Sequence, residues 1–136
     1  MLVISSIAYF MIPFDGSAVN IALPSIATSL HASLSSIIWI PTVYLLVFAA
    51  LETTMGRLGD IRGMKNIFIV TLAIFTVGSL FASLSTTITQ LIIARVVQGL
   101  GGAGMDAIGL SLITGAYPEG TRGRAFGLNS MVAIFV

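Results

Sequence analysis

The feature that most constrains this chain is a succession of long apolar runs joined by short links. Residues 1–26 are strongly polar only at Asp15 and Asn20, and the runs 37–55, 66–84 and 90–117 follow. A helix crossing about 30 Å of hydrocarbon needs about 20 residues. Backbone groups in lipid must be bonded within their own segment, and these runs lack the polar–apolar alternation of a barrel strand. The spacing therefore predicts membrane-spanning helices over residues 2–26, 37–55, 66–84 and 90–117, with a fifth starting at Ala125. Residues 125–136 are too few to complete that span at 1.5 Å per residue, so the chain reads as an incomplete N-terminal helix bundle, all-α and polytopic.

Composition closes off other classes. Of 136 residues 57% are hydrophobic and 8% charged, against about 25% charged in a soluble domain, and the mean hydropathy is +1.07. Six Lys/Arg and five Asp/Glu leave a formal charge of +1, too little to gather nucleic-acid phosphates. The chain has no cysteine and one histidine, and it contains no Ser/His/Asp set, no HExxH and no phosphate loop. Neither an enzyme, a metal site nor a cofactor site is expected. The run GLGGAG at 99–104 lies within an apolar helix pattern instead of following a strand, so it is not a nucleotide-binding turn. The first run starts without Lys or Arg and lacks a small-x-small cleavage site, which favours a retained span over a signal peptide.

Basic residues set the expected orientation. Arg57, Arg62 and Lys65 lie between the second and third runs, and Arg122 and Arg124 follow the fourth; the links 27–36 and 85–89 have none. By the positive-inside rule the amino terminus and both charged segments are cytoplasmic, and the chain is integral to the cell membrane. Trp39 and Tyr44 read as interfacial anchors or as packing residues.

Polar residues at membrane depth are costly and point to function. Asp15 lies in the middle of the first run, between Pro13 and the small residues Gly16, Ser17 and Ala18, where a neighbouring helix can come close. It reads as a pathway carboxylate or as a packing tie. Asn20 is an interhelical hydrogen-bonding group or a pathway ligand. Arg95 stays charged at any working pH and needs an anion, water or carbonyl oxygens, either along a pathway or in a structural bridge to another helix. It opens RVVQGLGGAGMD, where Gln98, Gly99, Gly101, Gly102 and Gly104 thin the helix surface. Asp106 lies eleven residues on, about 16 Å along the axis and on nearly the same face, too far to touch Arg95. Glu52 and Asp106 read as mouth residues, with a cavity position as the other reading for Asp106.

Four segments together resemble one family. FDGSAVNIALP (14–24) looks like the first-helix signature of the fourteen-span drug:proton antiporters of the major facilitator superfamily. GRLGDIRGMK (56–65) resembles the superfamily's motif between helices two and three, with Gly56, Asp60, Gly63 and Lys65 in place; Arg57 and Arg62 add to the basic cluster. RVVQGLGGA (95–103) matches the fourth-helix motif, and PEGTRGRAFG (118–127) resembles the turn into helix five. Ile61 and Met64 stand where the family is usually basic, and Asp106 where relatives carry small or apolar residues. The resemblance covers essentially the whole chain but only about the first third of such a carrier.

The resemblance implies a secondary transporter fragment that exchanges protons for small amphipathic compounds by alternating access. Asp15 is then the proton-responsive carboxylate and Arg95 the residue biasing its charge, with Asn20, Gln98 and Asp106 along the pathway. Its partners are the bilayer, substrate, protons and the missing C-terminal portion. The segment 56–65 would act as a latch between transporter halves; read without the family, it is a basic loop that sets topology, with Asp60 free to accept amide bonds or pair with a cation. Other readings are a small homo-oligomeric transporter or channel, and a truncated membrane scaffold.

Overall fold

The computed structural model describes residues 2–124, 127, 128 and 131. Four helices carry the fold: α1 (Leu2–Ser29), α2 (Leu34–Arg62), α3 (Met64–Leu84) and α4 (Ile88–Ala116). All four are long and apolar enough to cross a membrane, and no strand occurs among the described residues. The fifth span expected from Ala125 falls largely outside the described residues.

The links are tight because side chains and one glycine satisfy the helix ends. Ser33 precedes α2 and its hydroxyl accepts from the Ser36 amide at 3.4 Å. At the start of α4 the Thr87 hydroxyl accepts from the Gln90 amide at 3.3 Å, while Gln90 Oε1 accepts from the Thr86 amide at 3.0 Å. This is the reciprocal logic of a capping box, displaced by one residue. The charged run 56–65, which reads as a turn, is helical through Arg62 and breaks only at Gly63, where φ is +94°. Arginine, leucine and isoleucine between the glycines tolerate helix well, so the one position that needs a left-handed backbone decides the break. The Gly63 amide donates to the Gly59 carbonyl at 2.9 Å and closes the end of α2. At the far end of α4, Arg122 Nε donates to the carbonyls of Thr114 and Tyr117 at 3.1 and 3.3 Å, a cation placed where the helix dipole is negative.

α4 is the centre of the bundle. Within its apolar stretch 61% of residues are buried inside the fold, against 6% for α1. Glycines make this possible. A Cβ on Gly101 would lie 2.5 Å from the Phe75 amide nitrogen of α3, and one on Gly99 would lie 2.9 Å from the Tyr44 carbonyl oxygen of α2. Both distances are shorter than a real side chain allows, so α4 touches its neighbours backbone to backbone, as small residues permit in lipid. Ala8, Tyr44, Phe68, Phe75, Met105 and Ile108 fill the apolar core around it. Trp39 is 54% exposed and lies outside that core.

Candidate functional site

A polar cluster crosses this apolar core, and each of the four helices supplies part of it. Arg95, on α4, is 1% exposed. Its Nη1 donates to Asp15 Oδ2 of α1 at 2.5 Å and to Gln98 Oε1, one turn along its own helix, at 2.8 Å. Gln98 Nε2 donates in turn to Asp15 Oδ1 at 3.2 Å and to Ser79 Oγ of α3 at 2.8 Å. From α2 the Tyr44 ring lies under the guanidinium, 4.3 Å from its carbon to the ring centroid, where an aromatic face attracts a cation.

The two charges offset each other at this cluster. Both Asp15 oxygens accept a hydrogen bond and its side chain keeps 19% exposure. Arg95 Nε and the Tyr44 hydroxyl are buried without a partner among the described residues.

The closeness of Gln98 to α3 has a visible cause. A Cβ on Gly78 would stand 2.7 Å from Gln98 Cγ and 2.9 Å from its amide nitrogen. Only glycine lets α4 settle near enough to α3 for the amide to reach Ser79. Gly102 does the same for Tyr44, whose hydroxyl is 2.8 Å from the Cβ position there.

The structure brings together Asp15, Arg95 and Gln98 and keeps Asn20 and Asp106 apart from them. Asn20 is exposed; five residues past Asp15, it is turned about 140° around the helix at 3.6 residues per turn. Asp106 is half-buried and acts electrostatically on Glu52 of α2 and Tyr9 of α1, forming a separate acidic site. Tyr44 and Ser79 join the Arg95 cluster although the sequence did not mark them for it. Arg57, Asp60, Arg62, Gly63 and Lys65 are exposed, while Gly56 packs with its Cβ position 3.8 Å from Ala107. Among the described residues Asp60 makes no ion pair. An apolar groove of about 450 Å³ between Phe81 and Leu84 of α3 and Gln90, Ile93 and Val97 of α4 holds no charged group.

The family model of the Major Facilitator Superfamily matches residues 5–136. The chain belongs to this superfamily. It is 36% identical over 132 residues to riboflavin transporter RibZ of Clostridioides difficile (strain 630), covering 97% of this chain and 29% of that protein. It is 38% identical over 122 residues to uncharacterized transporter YebQ of Escherichia coli (strain K12), covering 90% of this chain and 27% of that one. Cephamycin export protein CmcT of Amycolatopsis lactamdurans is 37% identical over 134 residues, 98% of this chain and 28% of its own length. The chain thus spans less than three tenths of the length of these curated relatives. It is an integral membrane member of a transporter superfamily whose matching relatives include a named export protein.

Proposed function

We propose that this chain forms the first part of a secondary carrier that exports small amphipathic compounds in exchange for protons by alternating access. The observation that carries the reading is the Asp15–Arg95 pair, a carboxylate tied to a guanidinium at the bundle's core. Asp15 takes up a proton, the tie to Arg95 loosens, and α1, the least buried helix, is freed from α4, the most buried. Gln98 holds Arg95 and Asp15 in register meanwhile, so the pair re-forms when the proton leaves. A population shift of this kind needs a ligand that binds the two arrangements differently, and a proton does so because it cancels one charge of the pair. The relatives named for riboflavin transport and cephamycin export support a small, partly polar organic cargo.

In this reading the amino terminus and the basic segment 57–65 face the cytoplasm, and the exposed Arg57, Asp60, Arg62 and Lys65 stand ready to pair with the rest of the carrier as a latch. A reporter fused after Lys65 should report a cytoplasmic position; external exposure overturns the orientation. In the full-length protein, reconstituted in vesicles, Asp15→Asn should abolish cargo-driven proton movement, and unchanged coupling removes Asp15 from the mechanism. Arg95→Lys compared with Arg95→Ala separates charge from guanidinium geometry: full rescue by lysine shows that charge alone suffices.

A further inference from the structure

The bundle holds a second group of titratable side chains, nearer the end that carries Arg57 and Lys65. Its position follows from the register of α2 against α4. Gly99 of α4 meets Val47, Gly102 meets Phe48, and Gly56 meets Ala107. Glu52, one turn before Gly56, therefore stands within about one turn of Asp106 across the α2–α4 contact, and the two carboxyls are electrostatically coupled. The Tyr9 ring of α1 lies 3.7 Å from the Cβ position of Gly109, three residues past Asp106, and its hydroxyl also interacts with Asp106. α3 adds no titratable group here, because its one such residue, Lys65, is exposed in its first turn. Arg57 of α2 is likewise exposed.

Tyr44 lies along α4 on the side of this group nearer Arg95. Its carbonyl oxygen is 2.9 Å from the Cβ position of Gly99 and its hydroxyl 2.8 Å from that of Gly102. The side chain thus runs along α4 towards Asp106, one turn beyond Gly102. It is 5% exposed, and its hydroxyl has no partner among the described residues. An orphan hydroxyl buried in an apolar core is costly unless something polar meets it.

We propose that Glu52 and Asp106 form a proton-sharing acid pair, a second proton-binding site distinct from the Asp15–Arg95 pair. Two facing carboxylates half-buried in a low-dielectric space repel, and one proton held between them removes the second negative charge and adds an O–H donor. Tyr9 borders the pair from α1. The Tyr44 ring carries Arg95 on its face and its hydroxyl lies beside Gly102, one turn short of Asp106 along α4. The chemistry is that of the pair alone; its use as a station for protons crossing the bundle rests on the proton-coupled reading above.

Infrared difference spectroscopy of the full-length protein in lipid vesicles at neutral pH tests the proposal, because it reads protonated carboxyls directly. Wild type should show a protonated-carboxyl stretch that Asp106→Asn and Glu52→Gln each abolish, since the proton needs both partners. The exchanged pair, Glu52→Asp with Asp106→Glu, should keep the band, and it tests the site even if a single variant fails to fold. Loss in only one single variant assigns the proton to one carboxyl and overturns the sharing, as does absence of the band in wild type. Asp15→Asn should leave the band in place; its loss there overturns the assignment. Wild-type transport that moves no protons would sink the proton-coupled reading while leaving this band, so the two failures are separable.

Discussion

The bundle holds ionisable groups at two levels and treats them oppositely. At Arg95 opposite charges meet, both carboxylate oxygens are bonded, and an aromatic face supports the cation. At Asp106 two groups of like charge meet beside phenols. The first arrangement holds helices together by satisfying charge; the second, in the proposal above, is tolerated by sharing a proton. A residue's depth in a membrane bundle therefore says less about its work than the sign of its partner.

The largest test of this contrast is to remove one carboxyl at a time. Asp15→Asn strands a buried guanidinium and should cost about 3–5 kcal/mol, read as a lowered unfolding midpoint in detergent, whereas Asp106→Asn should cost nothing or raise the midpoint. Equal losses would erase the distinction. Next, Gly101→Val forces a side chain against Phe75 and should cost about 1–3 kcal/mol of overpacking. It separates α3 from α4 and so disturbs the Gln98–Ser79 bond, while the carboxyl infrared band at Glu52 and Asp106 should persist.

Tyr44→Phe sharpens the comparison from the other side. It keeps the ring under Arg95 and removes the orphan hydroxyl, so stability should rise by about 1 kcal/mol in thermal unfolding; a loss of that size would mean the hydroxyl has a partner. Ser79→Ala should have the smallest effect, about 1 kcal/mol or less, because Gln98 Nε2 retains Asp15 as acceptor. A loss comparable to Asp15→Asn would make Ser79 a member of the charge network instead of its edge.

Much of the fold is legible because lipid allows few solutions: apolar runs of this length become helices, and four helices of spanning length are present. Asp15 and Arg95 each stand out as ionisable residues at depth, but their partnership crosses 80 positions and depends on how α1 leans on α4. Tyr44 resembles any aromatic in an apolar run, and its place beside Arg95 comes from Gly99 and Gly102 letting α2 approach. Asn20 is conspicuous by type and is turned off the site by helix phase alone. Glu52 reads as a mouth residue because a single sequence cannot set α2 and α4 in register. Local turn chemistry misleads at 56–65, where three glycines suggest a reversal and only Gly63 makes one.

That single break joins α2 to α3 with no slack. With α2 and α3 joined through one residue, a change of backbone angle at Gly63 re-aims α3, the helix that carries Gly78 and Ser79 against Gln98.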